Sequence, residues 1–219
     1  MIFINFKNYH QASGSKAILL AQACEKVSAD TGIPIIPCVA SADLINIART
    51  VKCPVWVQYI DPIDTEKSTG FITPSVIKAH GSWGTLLNHS EHPMEFEEIK
   101  KAISLAKQNS LRTMVLVESS ELARRVDELA PDYIGIEESS LIGGNESMAQ
   151  SEKGKQKIKE FIAMVKNAVP LVGAGINEKS DIKESLSLGA KGILVSSAVV
   201  KAKNPQEKLK KLASAFQNC

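Results

Sequence analysis

The stretch that decides the fold is Gly84-Thr85-Leu86-Leu87-Asn88-His89-Ser90-Glu91, in which a short apolar run leads directly into polar residues. The run 84–87 predicts a short strand, and the polar residues lie where that strand ends. Similar runs, rich in Val, Ile and Leu, occur along the whole chain. Several are continuous rather than alternating, as expected for parallel strands that are covered on both faces. The predicted strands are 2–6, 33–38, 55–59, 84–87, 113–117, 133–136, 169–172 and 192–195.

Helical signals lie between these strands. Thr73-Pro74 predicts a helix start, with an N-cap followed by Pro at the first helical position. The stretch 204–207, Asn-Pro-Gln-Glu, predicts another start with a capping box. Apolar residues recur at helical spacing over 96–106 and 158–165. Glycines are expected where three helices end, at Gly32, Gly81 and Gly189.

Strands that alternate with helices predict parallel pairing through right-handed crossovers. An open doubly wound sheet and a closed (β/α)8 barrel both satisfy that rule. Eight even units favour the barrel, and no GxGxxG motif follows the first strand to favour the open sheet. We therefore predict an α/β fold with one (β/α)8 barrel domain over residues 1–219.

The composition excludes several classes of function. Hydrophobic residues make up 44% and charged residues 23%, which are ordinary values for a globular domain. The 26 basic and 24 acidic residues leave a formal charge of +2, so no broad basic field is available for nucleic acid or a membrane surface. The cysteines are scattered, without metal-ligand spacing, and predict reduced thiols. With no signal-peptide pattern and no long apolar stretch, we expect a cytoplasmic protein.

Chemically useful residues stand at the ends of the predicted strands. In this architecture, reactive side chains come from the C-terminal ends of several strands, and the loops after strands seven and eight often bind phosphate through backbone N–H groups. Each residue taken alone has an ordinary explanation, such as a solvated charge, a helix cap or a turn. Their shared position at strand ends is far more specific. They are Asn5, Lys7, His89, Glu137, Gly173-Ala174-Gly175 and Ser196-Ser197.

These residues carry a resemblance that runs over essentially the whole chain. The sequence is similar to the triosephosphate isomerase family, and most to its short archaeal-type branch. That family has the TIM barrel fold and interconverts dihydroxyacetone phosphate and glyceraldehyde 3-phosphate through an enediol, without cofactor or metal. The most specific match is the block 84–91. The others are Ile4-Asn5-Phe6-Lys7, Gln58 with Asp61-Pro62, Thr69-Gly70, Leu141-Ile142-Gly143, Gly173-Ala174-Gly175-Ile176 and Lys201-Ala202-Lys203-Asn204-Pro205.

The resemblance implies a role for each matching residue. Glu137 matches the family's base and His89 its electrophile, while Lys7 stabilises the charge of the phosphate and the enediolate. Glu91 matches a supporting position and is expected to pair with Lys7. A helix that starts after His89 is expected to keep its imidazole neutral. The implied substrate-binding residues are Asn5, Phe6, Lys7, Ile142, Gly143, Gly175, Ser196 and Ser197.

The chain departs from the family's pattern in its expected lid, which matches residues 137–150. The usual Pro after the base is Glu138, and Ser139-Ser140 follow it. The usual Gly-Thr-Gly is Gly143-Gly144-Asn145. Because Pro restricts the backbone, its loss predicts a more flexible hinge and slower lid closure.

Two further departures lie near the site. The Gln-His of the branch is Gln58-Tyr59, and an Arg that often follows the position of Glu91 is His92. The family forms at least dimers, in which the loop matching 59–73 reaches a neighbour, so a homodimer or homotetramer is expected. Within that loop, Tyr59, Ile60 and Phe71 are candidate contacts, although core placement fits equally well.

Two other readings of the sequence stay open. An aldolase or synthase acting on a sugar phosphate would use a Schiff-base lysine, for which Lys7 is the best candidate. A degenerate barrel would bind a phosphorylated ligand with weak or no isomerase activity, and only the altered lid favours it.

Overall fold

The computed structural model describes residues 1–138 and 147–217. Its centre is a closed barrel of eight parallel strands, in which each strand is hydrogen-bonded to the next and the last returns to the first. The predicted (β/α)8 architecture is therefore confirmed. The strands are β1 (Ile2–Asn5), β2 (Ile35–Val39), β3 (Trp56–Val57), β4 (Gly84–Leu87), β5 (Arg112–Val117), β6 (Tyr133–Ile136), β7 (Val169–Val172) and β8 (Gly192–Val195).

Helices surround the barrel, and several of their ends lie at the predicted residues. Thr73 is the N-cap of the helix that begins at Pro74, but its side chain makes no cap hydrogen bond. Gly32 ends the first helix in the left-handed region at φ 72°, which glycine adopts without strain. The Asn204 side chain accepts the N–H of Glu207 at 3.2 Å, as an N-cap should. The helices are α1 (Ser15–Thr31), α2 (Leu44–Ala48), α3 (Pro74–Ala79), α4 (Phe96–Gln108), α5 (Ser120–Asp127), α6 (Glu152–Met164), α7 (Lys179–Ser187), α8 (Ser197–Val200) and α9 (Pro205–Ala213).

Two strands differ from the predicted bounds. β2 begins at Ile35 rather than at residue 33, because Pro34 has no N–H for the ladder and contributes only its carbonyl, which accepts the Ile2 N–H at 2.8 Å. β3 is only Trp56–Val57, since its register with β2 has just two residue pairs. The other predicted strands agree with the structure within a residue at each end.

Alternating side chains divide the core into two layers. Phe3, Trp56 and Tyr133 point into the barrel and meet edge to face, with ring centroids 5.0–5.7 Å apart. Aliphatic and sulfur side chains complete this inner plug, while a second apolar cluster fills the space between barrel and helices. Because the plug fills the barrel, inward positions beyond it open toward the C-terminal mouth.

The structure also describes three of the cysteines, which were expected to be reduced thiols, and the helices, none of which was expected to span a membrane. Among the described residues, Cys24, Cys38 and Cys53 form no disulfide, and the first two are buried. Burial raises the pKa of the Cys53 thiol to about 11. In the same part of the chain, no helix has the length and apolarity that crossing a membrane requires.

Replacing Phe3 by Ala should lower the free energy of unfolding by about 3–5 kcal/mol, since the substitution leaves a cavity in the plug. Denaturant titration measures this change. Leu19→Ala is the control, because Leu19 is 65% exposed and its truncation should cost under about 0.5 kcal/mol. Equal losses in the two variants would contradict the role of the plug.

Candidate active site

A cavity lies at the barrel mouth, directly beyond the plug. Seven of the residues expected from the sequence line it: Asn5, Lys7, His89, Glu137, Gly175, Ser196 and Ser197. They come from the ends of five different strands, so the closed barrel alone brings them together. Tyr9, Gly173, Ile176 and Asn177 also line the cavity and were not among the expected substrate-binding residues.

Lys7 has a strained backbone that two side chains hold in place, and a third side chain orients its ammonium group. Its φ is 46°, in the left-handed region that costs a non-glycine residue of order 1 kcal/mol. The Asn5 Oδ1 accepts the Lys7 N–H at 3.0 Å, and the Gln58 Nε2 donates to the Lys7 carbonyl at 3.1 Å. The Lys7 Nζ donates to the Glu91 carboxylate at 2.6 Å, which is the pair expected from the sequence. The ammonium group is thus oriented before any substrate arrives.

Gln58 supports the site, although sequence analysis gave it no role beyond its place in the match to the family. It follows β3 by one position, and its side chain also donates to the Cys38 carbonyl at 3.3 Å. It therefore ties the end of β2 to the strained Lys7 backbone. Its place in the Gln58 and Asp61-Pro62 match was the available signal, but nothing in the sequence showed that it reaches a residue 51 positions away.

His89 is a buried imidazole, and one of its two ring nitrogens accepts a hydrogen bond. Its Nδ1 accepts the Glu91 N–H at 3.0 Å, which assigns the ring hydrogen of the neutral form to Nε2. Burial lowers the pKa of His89 to about 4, and the Lys7 charge acts in the same direction while Glu91 opposes it. The ring is therefore neutral at neutral pH and presents Nε2–H to the cavity.

The amide that contacts His89 comes from a tight turn and not from the first turn of a helix. The His92 N–H donates to the His89 carbonyl at 2.7 Å and closes turn 89–92, whereas α4 begins only at Phe96. We expected the N-terminus of a helix to act on the His89 ring, but a single backbone amide, the Glu91 N–H, is hydrogen-bonded to it instead. Asn88, at φ 57°, starts this turn, and its side chain fastens it to the Leu116 carbonyl and the Met94 N–H.

Glu137 points into the cavity because it continues the alternation of β6. Its N–H donates to the Val117 carbonyl at 2.9 Å, and its Oε1 lies 3.5 Å from the His89 Nε2. Its Oε2 is buried and has no hydrogen-bond partner among the described residues. Burial raises the pKa of Glu137 to about 8, although Lys7 acts in the opposite direction. A buried carboxyl with one unpaired oxygen suits a group that must take a proton.

Gly173 makes room for Glu137. A Cβ built at this position would lie 3.2 Å from the Glu137 Cγ and 3.4 Å from its Oε1, closer than most side chains tolerate. The glycine at the end of β7 therefore sets how near the wall of the cavity approaches the carboxyl group. Sequence analysis assigned Gly173 to a phosphate-binding stretch and missed this steric role.

The wall formed after β7 and β8 is built from small residues. Gly175 has φ 66°, a conformation that favours glycine. The Ser196 Oγ donates to the Asn5 carbonyl at 2.7 Å, so this wall is joined to β1 beside Lys7. Ser197 begins α8. Small side chains at these positions leave backbone N–H groups accessible to an anion.

Phe6 lies behind the cavity and not in its wall. It was expected among the substrate-binding residues, but its side chain is fully buried in the cluster between barrel and helices and does not line the cavity. Alternation along β1 explains this, because the residue between Asn5 and Lys7 must point outward. Phe6 packs behind the site instead.

The lid expected at 137–150 is described only at its ends. Ile142 and Gly143, with Ser139, Ser140, Gly144 and Asn145, lie outside the described residues. The Glu138 carboxylate, next to Glu137 in the chain, binds the Lys157 Nζ on α6 at 2.6 Å. Glu138 does not line the cavity, so its charge is directed away from Glu137.

Within residues 1–138 and 147–217, no group of three or more His, Cys, Asp or Glu residues has the arrangement needed to hold a metal ion. The polar side chains that line the cavity are the Lys7 ammonium, the His89 imidazole, the Glu137 carboxyl, the amides of Asn5 and Asn177, and the hydroxyls of Tyr9, Ser196 and Ser197. Such a set is suited to proton transfer next to an anionic ligand.

The similarity of this chain to known proteins extends over nearly its whole length. A family model described as triosephosphate isomerase matches residues 1–215. The chain is 37% identical over 214 residues to the triosephosphate isomerase of Methanocaldococcus jannaschii, covering 97% of this chain and 98% of that protein. It is 34% identical over 216 residues to that of Methanobrevibacter smithii, covering 98% and 97%.

Comparison of structures supports the fold independently. The crystal structure of triosephosphate isomerase from Bartonella henselae superposes with a TM-score of 0.75 at 16% identity, covering 99% of this chain and 98% of that one. At that identity the likeness shows the fold alone. The family model and the archaeal relatives, which span nearly the full length, show that this chain belongs to the triosephosphate isomerase family.

Proposed function

We propose that the cavity at the barrel mouth interconverts dihydroxyacetone phosphate and glyceraldehyde 3-phosphate, with Glu137, His89 and Lys7 as its catalytic residues. The observation that carries these assignments is the buried Glu137 carboxyl, whose Oε2 has no hydrogen-bond partner within residues 1–138 and 147–217 and whose Oε1 is 3.5 Å from the His89 Nε2. Membership of the family supports the same reaction, which serves glycolysis and gluconeogenesis.

Glu137 acts as the base. In its carboxylate form it removes the proton next to the substrate carbonyl and returns it to the neighbouring carbon, so one group serves both directions. Its buried surroundings raise its proton affinity, and the pKa of about 8 follows from that burial. By resemblance, closure of the lid keeps water from the enediolate, which protects it from side reactions.

His89 acts as the electrophile. Its Nε2–H donates to the carbonyl oxygen, on which negative charge develops as the proton leaves. A neutral imidazole in this role is the established pattern for triosephosphate isomerase. The Glu91 N–H on Nδ1 fixes the required tautomer here, and the lowered pKa of His89 keeps the ring from charging.

Lys7 provides the positive charge, and backbone N–H groups hold the phosphate. The ammonium is paired with Glu91 at 2.6 Å and lines the cavity beside Asn5. Gly175, Ser196 and Ser197 form the opposite wall, where N–H donors suit a dianion. By resemblance, Ile142 and Gly143 complete the substrate-binding set from the lid.

The remaining assignments are also proposals. Residues 1–219 form one domain, the enzyme uses neither cofactor nor metal, and it works in the cytoplasm as a homodimer or homotetramer. An exposed Phe71 in the loop after β3, with 53% of its surface accessible, supports an interface at that loop. Ile60 is fully buried, so it is a core residue and not a candidate contact.

Glu137→Gln should reduce kcat by at least about 100-fold, because the amide cannot accept the proton. An isomerase assay coupled to a triose-phosphate dehydrogenase measures turnover. Glu138→Gln is the matched control and should retain activity, since that carboxylate binds Lys157 outside the cavity. The reverse outcome would move the base by one residue.

The stability of the protein should depend on pH through Glu137. Its pKa is about 8 in the folded protein against 4.5 in the unfolded chain, so folding favours the protonated form. The stability from this group is fully present below pH 4.5 and is lost as the pH rises to about 8. Glu137→Gln removes that loss. The variant should match the parent at pH 4 and exceed it by a few kcal/mol at pH 9, as denaturant titrations measure. Parallel stability curves would contradict the assignment.

Replacing Glu138 by Pro should raise kcat if the hinge limits lid closure, because Pro narrows the ensemble of open conformations. Lys157→Met should lower kcat by at most about fivefold, in line with the small energy of a partly exposed ion pair. The coupled assay measures both. Lys210→Met is the matched control, since it breaks a Lys–Asp pair with Asp30, away from the cavity. A Pro variant no faster than the parent would remove the hinge argument.

A further inference from the structure

Two residues that depart from the family's pattern are in direct contact. The rings of Tyr59 and His92 are stacked, with centroids 4.0 Å apart and planes inclined by 19°. Tyr59 follows β3 and is half-buried, whereas His92 is exposed in the loop after β4. Neither ring lines the cavity. The contact therefore joins two loops beside the site without touching a ligand.

His92 belongs to the turn that carries the polar contacts of the site. Its N–H closes turn 89–92 on the His89 carbonyl at 2.7 Å. Inside that turn, the Glu91 N–H contacts the His89 Nδ1 at 3.0 Å and the Glu91 carboxylate binds Lys7 at 2.6 Å. A displacement of this turn would change both contacts together.

Tyr59 is held in place by hydrogen bonds of its own side chain and of its neighbour Gln58. The preceding Gln58 donates to the carbonyls of Lys7 and Cys38. The Tyr59 hydroxyl lies 3.4 Å from the Asp61 carboxylate, which in turn accepts the Ile72 N–H at 2.6 Å. The Tyr59 ring is thus fixed at its backbone end and at its hydroxyl end. The ring of His92, which is the more exposed of the two, packs against it.

We propose that Tyr59 and His92 are positioning residues, whose stacked rings hold turn 89–92 so that Glu91 keeps its contacts with His89 and Lys7. The proposal rests on the proposed function, in which His89 and Lys7 contact the substrate. Stacking needs two flat rings and neither the phenol hydroxyl nor a charge on the imidazole. Ring-retaining substitutions should therefore preserve the effect.

The turn has few other attachments on its solvent side. Asn88 fastens its start, but Glu91 and His92 are both exposed, and α4 begins only at Phe96. Without the stack, the Glu91 N–H leaves the His89 Nδ1 part of the time, and that nitrogen then accepts a proton. The charged groups that face His89 are Lys7 on the β1 side, Glu137 on the β6 side and the Glu91 carboxylate of the turn itself. Burial is the largest cause of the lowered His89 pKa, so solvent that reaches the ring as the turn opens raises that pKa, and this outweighs the loss of the smaller, opposing effect of Glu91.

The test compares ring-removing with ring-retaining variants. Tyr59→Leu and His92→Ala remove the stack, whereas Tyr59→Phe and His92→Phe keep two flat rings. The readouts are kcat/KM and an NMR pH titration of the His89 ring in protein labelled at its four histidines, assigned with His89→Gln. Trp83→Leu is the matched control, because Trp83 is 55% exposed ahead of β4, at the end of the barrel away from the cavity.

Ring removal should lower kcat/KM by about two- to tenfold, the range expected for one aromatic pair. It should also move the His89 pKa upward from about 4 toward its usual 6.5. The Phe variants should resemble the parent, as should Trp83→Leu. The double variant Tyr59→Leu with His92→Ala should lose no more than either single variant, since both remove the same contact.

Three outcomes would overturn the proposal: an unchanged His89 titration in Tyr59→Leu, Phe variants as impaired as the ring-removing ones, or additive losses in the double variant. A fall in thermal stability alone, without a change in the His89 titration, indicates a purely structural contact and counts against it. If the parent enzyme shows no isomerase activity, the proposed function fails. The titration then still decides whether the stack holds the turn.

Discussion

The alternation of side chains along short parallel strands is the constraint on which this structure depends. Once Phe3 and its aromatic partners fill the barrel, the next inward position on each strand opens into the mouth. Asn5 on β1, Glu137 after β6 and Gly173 after β7 are those positions. The site is therefore not an addition to the core. It is the layer above the plug, and its shape follows from barrel closure.

The same constraint explains how far the sequence could predict the molecule. Strand order, closure and the cluster of Lys7, His89 and Glu137 followed from eight apolar runs and the residues that end them. Long-range side-chain contacts did not follow. Gln58 reaches Lys7 across 51 positions, and no local pattern reports where an amide side chain points. Phe6 was expected in the site because it lies in the Ile4-Asn5-Phe6-Lys7 match to the family, whereas alternation along β1 places its side chain outside the cavity.

Charge in this protein is arranged locally and not globally. The whole chain carries a formal charge of only +2, yet a buried carboxyl, a neutral imidazole and an oriented ammonium share one cavity. Burial raises the pKa of the Glu137 carboxyl and lowers the pKa of the His89 imidazole, because it disfavours the charged form of each. One physical cause thus prepares a stronger proton acceptor and a neutral donor side by side.

A left-handed backbone at Lys7 and a buried carboxyl at Glu137 are each unfavourable for folding, and several contacts hold each of them in place. Lys7 holds a left-handed backbone because Asn5 and Gln58 bind its N–H and carbonyl. Glu137 is set by the Val117 carbonyl and by the space that Gly173 leaves. None of these contacts involves the residue after the base. Glu138 therefore takes no part in holding Lys7 and Glu137, and its carboxylate binds Lys157 on α6 instead.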